Sequence, residues 1–252
     1  IHARNHLRSD RWYKIGRELR YGRLEDEGSF KSVRRLVQHE DYLLHLMRDG
    51  GIPTAAPHGI VEITPDREYL ILTGFLDGAE EIDKVELDDV IIDRALGAIR
   101  ALWDSGLAHR DIKPANIMVK DQRVYLIDVA FGEVRPSPWR EAVDLANMML
   151  TLALQSSPEH VLERARLLFT EDELAEAFAV ARGITLPSQL RRQLREDSRS
   201  LLEDYRALLP PTPPVKIQRW SWRRLLLTVL VALTTAAVVA IVLGNLEGIG
   251  LI

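Results

Sequence analysis

Cysteine is absent from the 252 residues, which excludes disulfides, thiolate zinc sites and cysteine nucleophiles. A basic excess is absent too. The formal net charge is -4, whereas broad nucleic-acid binding ordinarily needs a basic face, so no nucleic-acid partner is expected. Residues 1–10 hold no glycine, so no phosphate-cradling glycine loop lies there. The first residue is Ile1 rather than Met, and the chain is expected to be a piece of a longer protein, cut at both ends.

What is present starts with an apolar share of 46%, enough to bury a real core. Leu225 to Leu243 is almost wholly apolar and carries no charge. About 20 such residues cross a hydrocarbon core as a helix, so a transmembrane helix is expected over 225–243. Arg219-Trp220-Ser221-Trp222-Arg223-Arg224 precedes it, and no basic residue follows it. Arginines stay on the cytoplasmic side and tryptophans at the interface, so residues 1–218 are expected in the cytoplasm, beside a membrane. Pro210-Pro211-Thr212-Pro213-Pro214 reads as an extended spacer.

Earlier in the chain, residues 11–15 read as a short strand. Gly28 and Ser29 precede a helical stretch to about Met47, with Val33, Leu36, Val37, Leu43, Leu44 and Met47 at helical spacing. Gly59 to Ile63 and Glu68 to Thr73 read as a hairpin around Thr64-Pro65-Asp66-Arg67. Asp88 to Ser105 is helical by periodicity. Ile117-Met118-Val119 and Val124-Tyr125-Leu126-Ile127 are short strands around a turn at Lys120-Asp121-Gln122. From about Trp139 to Leu209 the pattern is helical, broken at Pro158, Gly183 and Pro187.

The chemistry concentrates in one place. Asp111 and Asn116 lie five residues apart just after a helix, and Asp128 follows a strand. Phosphoryl transfer needs one carboxylate near the acceptor hydroxyl and oxygen ligands for Mg2+ on the phosphates. Two aspartates and an asparagine on adjacent loops supply that set. Lys113 adds a cation for the transferred group.

His109-Arg110-Asp111-Ile112-Lys113-Pro114-Ala115-Asn116 resembles the catalytic loop of the protein-kinase superfamily at every defined position. The resemblance implies ATP and Mg2+ as cofactors. By it, Asp111 orients or deprotonates the acceptor, Lys113 contacts the γ-phosphate, Asn116 binds Mg2+ and Asp128 is the main Mg2+ ligand. It also implies a lysine–glutamate pair, for which Lys14 on the early strand and Glu40 on the next helix are the candidates. Leu70 to Gly78 resembles the family's inter-lobe hinge, where Gly74 and Leu76 offer backbone groups to the adenine. Asp144 resembles the helix aspartate that props the catalytic loop.

Two departures narrow the resemblance. Asp128 is followed by Val129-Ala130-Phe131-Gly132, where the family has Phe-Gly at once. Only sixteen positions separate Asp128 from Asp144, and an Ala-Pro-Glu ending is missing, with Glu133 to Trp139 reading Glu-Val-Arg-Pro-Ser-Pro-Trp. The compact Rio-like and aminoglycoside-phosphotransferase-like branches are the nearer likeness. The expected fold class is therefore α+β: a two-lobed protein-kinase-like fold plus one transmembrane helix. Residues 1–76 would be a partial N-lobe and 77–209 a helical C-lobe with the catalytic loop. Residues 210–224 would be a linker, 225–243 the membrane helix, and 244–252 the start of a further membrane region. The expected function is transfer of the γ-phosphate to a hydroxyl of a protein, with a small-molecule or lipid-linked hydroxyl as the alternative. A non-catalytic nucleotide sensor attached to membrane helices is the third reading, against which intact Asp111, Asn116 and Asp128 speak.

Overall fold

The computed structural model describes residues 2–3, 32–65, 67–182 and 185–212, and positions 226, 227, 229–231, 233–235 and 238. Those up to 212 belong to one compact unit and those from 226 onward to a second. The expected strand over 11–15, and Lys14 on it, lie outside the described residues.

In the first unit, strand β1 (His2–Ala3) is followed by helix α1 (Val33–Asp49). Ser32 starts that helix by accepting the Arg35 N–H on its hydroxyl at 3.3 Å, so it begins later than the Gly28–Ser29 signal indicated. Strands β2 (Pro57–Thr64) and β3 (Glu68–Thr73) form the expected hairpin, and β1 pairs with the other edge of β3. Val33, Val37, Leu43, Leu44 and Met47 bury the inner face of α1, in part against this sheet, which also holds buried Tyr69 and Ile71.

A two-residue strand β4 (Glu80–Glu81) leads to helix α2 (Asp89–Asp104). Asp88 caps α2 by accepting the Ile91 N–H at 2.8 Å. Next come β5 (Leu107–Ala108), β6 (Ile117–Lys120) and β7 (Arg123–Leu126). Between β6 and β7, Asp121 and Gln122 have φ of 48° and 59°, the left-handed pair that a tight two-residue hairpin turn requires. β4 adds to this hairpin along β6, and β5 pairs with β8 (Glu133–Val134).

Helices α3 (Pro138–Ala153), α4 (Pro158–Ala165), α5 (Glu171–Val180), α6 (Ser188–Glu196) and α7 (Leu201–Leu208) complete the unit. Prolines open α3 and α4 at positions where a missing N–H costs nothing. Thr170 and Glu173 form a reciprocal capping box on α5. Helix α3 is the centre of the core: Leu145, Met148, Met149 and Leu152 are fully buried. Tyr205 stacks on Phe178 at 4.2 Å between ring centroids and donates its hydroxyl to the Met149 carbonyl at 3.1 Å, fastening α7 onto α5 and α3.

The expected fold class needs correction. The architecture is α+β, with helices and small open sheets. Among the described residues, however, no helix is long and apolar enough to cross a membrane. Crossing requires about 20 consecutive residues in one helix that satisfies its own backbone; an apolar run supplies the transfer energy but not that continuity. In the second unit the described positions between 226 and 238 are helical, and Thr235 donates to the Val231 carbonyl at 2.8 Å. The longest described helix, α1, has 17 residues and carries charged side chains on its outer face.

Candidate active site

The candidate site is built on the turn after β5. His109 is 1% exposed, and its Nε2–H donates to the Ile127 carbonyl at 3.0 Å. A carbonyl only accepts, so this bond fixes the tautomer. Burial, first of all, holds the imidazole pKa below its ordinary value and keeps the ring neutral. His109 is thus a post between the loop and the strand end that carries Asp128.

Arg110 has φ of 66°, a left-handed conformation that an arginine adopts at a cost. Asp144, in the middle of α3, offsets it. Its carboxylate accepts the His109 N–H at 2.5 Å and the Arg110 N–H at 2.9 Å. These are the propping bonds that the helix aspartate implies. Burial pushes the Asp144 carboxyl up to about 7, while those two N–H bonds pull the other way.

Asp111 then meets two donors. Lys113 Nζ lies 2.5 Å from Asp111 Oδ2, and Asn116 Nδ2 donates to the same oxygen at 3.0 Å and to the Asp111 carbonyl at 2.9 Å. Among the described residues, no donor reaches the second carboxylate oxygen of Asp111. Because the Asn116 amide nitrogen is spent on Asp111, its oxygen is the end left over as an acceptor. The Ile127 N–H bonds to the Asn116 carbonyl at 3.0 Å, so Asp128 is delivered next to Asn116. Asp128 has φ of 60°, a region that aspartate tolerates better than most residues. No hydrogen bond or ion pair engages its carboxylate among the described residues.

Asp128 with Asn116 is an oxygen-only set, with one carboxylate free of protein donors and one amide oxygen free to ligate. That chemistry suits a hard divalent cation such as Mg2+. Among the described residues no three His, Cys, Asp or Glu side chains converge, so nothing resembles a zinc-type centre.

Glu40, on the buried side of α1, comes near the same place. Its carboxyl is raised from 4.5 to about 7, by burial first and by the negative charge of Asp128 second. Among the described residues no cation pairs with it; its expected partner, Lys14, lies outside them. At the other edge, Gly74 donates its N–H to the Ala56 carbonyl at 2.7 Å, and the Leu76 carbonyl accepts the Ala79 N–H at 3.1 Å. That leaves the Gly74 carbonyl and the Leu76 N–H as the groups available to a ligand edge.

Two features escaped sequence reasoning. The first is the residue after Asp128. Val129 is 1% exposed, while Phe131 is 56% exposed. In the stretch that departs from the Asp-Phe-Gly pattern, the valine takes the inner position and the phenylalanine the outer one. The Gly132 carbonyl accepts a hydrogen bond from His39 Nε2 at 2.8 Å, which draws this turn against α1. The second is Glu133. Its Oε2 lies 2.8 Å from the buried Arg140 Nη1 and 3.6 Å from Arg110 Nη1, tying the segment after Asp128 to the turn that holds Asp111 and to α3. Only the alternation of charge between Arg110, Glu133 and Arg140 hinted at it.

No protein-family model and no curated protein matches this chain.

Proposed function

We propose that the chain transfers the γ-phosphoryl group of Mg2+–ATP to a hydroxyl. The observation that carries this reading is the convergence of Asp111, Lys113 and Asn116 on one hydrogen-bonded turn, with Asp128 delivered alongside by the Ile127–Asn116 backbone bond. When bound, Mg2+–ATP supplies the electrophilic phosphorus and most of the counter-charge.

The side chains divide the remaining work. Asp111 holds the acceptor hydroxyl on its undonated oxygen and takes the proton as the new bond forms. Lys113, 2.5 Å from the other oxygen, would neutralise charge on the transferred group. The Asn116 amide oxygen and the Asp128 carboxylate hold the metal. The Gly74 carbonyl and Leu76 N–H face the adenine edge. Asp144, His109 and Glu133 keep the turn in place.

A protein serine or threonine is the first acceptor reading, because Lys113 follows the pattern of the Ser/Thr protein kinases. A small or lipid-linked hydroxyl is the second. It is favoured by the short stretch of fifteen residues between Asp128 and Asp144, which leaves little chain for a peptide platform once Glu133 and Val134 pair with β5.

The test is to incubate the full chain with γ-labelled ATP, Mg2+ and membranes or extract. Asp111→Asn and Asp128→Ala are run beside it. Removing the base should lower transfer by about 10²–10⁴-fold. Label on protein supports the first acceptor and label on a metabolite or lipid the second. Nucleotide binding with no turnover that depends on Asp128 would sink the proposal and leave a nucleotide sensor.

A further inference from the structure

A cavity of about 710 Å3 opens between the end of α1, the connector after it, α2 and β7, and it shares no lining residue with the candidate active site. Its floor is apolar, with Ile52 and Val124 both 2% exposed. Its rim carries Arg48, Arg94 and Arg123. The single acid in the lining, Asp93, is already engaged by Arg164, whose Nε donates to it at 2.7 Å. Among the described residues the Arg48 guanidinium pairs with its exposed neighbour Asp49 alone, at 3.3 Å. Among the described residues neither Arg94 nor Arg123 has a carboxylate partner. A chain of net charge -4 therefore gathers three cations around one apolar hollow.

Gly97 adds an independent observation. It lies in the middle of α2 and lines the cavity. Glycine destabilises a helix interior relative to alanine, so its presence asks for a reason. Elsewhere the reason is internal. A Cβ on Gly50 would meet Ser105 Oγ at 2.7 Å, and one on Gly132 would meet Leu43 Cδ1 at 2.8 Å. A Cβ on Gly97 would meet nothing within 4 Å. The chain's own packing does not exclude a side chain there; a ligand approaching the helix backbone would.

We propose that this groove docks an acidic peptide segment of a separate protein, with an apolar side chain seated over Gly97 and carboxylates on Arg94 and Arg123. Guanidinium groups take carboxylates with two parallel hydrogen bonds, which gives such a groove direction as well as affinity. The cations come from three separate elements, which suits acids spaced along one peptide. Tyr125, half-buried at the rim, supplies the amphipathic contact that interface centres favour.

The test pans the full chain against a display library of short random peptides. An Arg94→Glu/Arg123→Glu double variant and Gly97→Leu are carried in parallel. The enriched peptide is then titrated by fluorescence anisotropy, with dodecanoate as competitor. Peptides combining Asp or Glu with an apolar residue should be enriched on the wild type. Both variants should weaken the titrated peptide by about tenfold or more. Gly97→Leu should melt no lower than the wild type, because leucine forms helix better than glycine. Failure to enrich acidic peptides overturns the proposal. So does a Gly97→Leu variant that binds as well as the wild type. Arginine-dependent binding of dodecanoate without peptide enrichment overturns it too, and assigns the groove to a small organic acid.

Discussion

Replacing Glu40 with glutamine should make the protein more stable at alkaline pH and leave it unchanged at acid pH. Glu40 is 8% exposed and its carboxyl titrates near 7 in the folded chain, against 4.5 when solvated. The folded state keeps a proton that the unfolded state releases. The stabilisation this gives is fully present below about pH 4.5 and is lost as pH rises through about 7. At 1.36 kcal/mol per pH unit the difference has a ceiling of about 3 kcal/mol, and water reaching the side chain reduces it to about 1–3 kcal/mol. Glutamine matches the shape of the protonated acid and cannot ionise. The Glu40→Gln chain should therefore melt with the wild type at about pH 4, below the unfolded pKa. At about pH 8 it should melt higher by about 2–12 °C, from 2–4 °C per kcal/mol in a domain of this size. Asp144 titrates in the same window, so part of the wild-type slope persists in the variant. Differential scanning calorimetry at the two pH values measures this. An equal gain at both, or none at about pH 8, would refute the claim that a buried carboxylate facing Asp128 carries the strain. If Glu40 also serves nucleotide binding, the same variant should lose turnover while gaining stability, as functional groups held against their preference commonly do.

Asp144→Asn puts an amide where the His109 and Arg110 N–H groups converge; stability should fall by about 1.5–3 kcal/mol in urea titrations, with turnover falling further because Arg110 loses the bonds that hold its φ. Gly132→Ala should destabilise by about 1–3 kcal/mol, since its Cβ would meet Leu43 Cδ1 at 2.8 Å and the Val129 carbonyl at 3.1 Å; a thermal melt matching the wild type would contradict that crowding. Phe131→Ala should change stability by no more than about 0.5 kcal/mol, whereas Val129→Ala should cost about 1–2.5 kcal/mol; the reverse order would restore the phenylalanine as the inner residue.

Much of the candidate site was legible before any fold was known. Asp111, Asn116 and Asp128 announce themselves because their chemistry depends on short spacings within one turn and one strand end. The hairpin over residues 57–73 was legible for the same reason, through Thr64, Pro65 and alternating apolar residues. Features that join distant segments were not. Glu133 looks like an ordinary loop acid until β8 lies beside β5 and brings it to Arg110 and Arg140. The groove over Gly97 needs α1, α2 and β7 together. Val129 and Phe131 are both apolar, and only the direction of the turn, drawn in by His39, decides which is buried. The run from Leu225 to Leu243 was legible only as apolar content, and among the described residues no helix has both the length and the apolarity that crossing a membrane needs.

Helix α1 is fastened to the Asp128 segment at two places. His39 holds the Gly132 carbonyl, and the connector after the helix holds Leu126, whose N–H goes to the Pro53 carbonyl at 3.0 Å and whose carbonyl accepts the Thr54 hydroxyl at 2.7 Å. Local unfolding reaches only those bonds that can break separately. The amides of α1 and those from Leu126 to Gly132 should accordingly exchange with solvent as one cooperative unit, so that Glu40 cannot swing away while Asp128 stays in register.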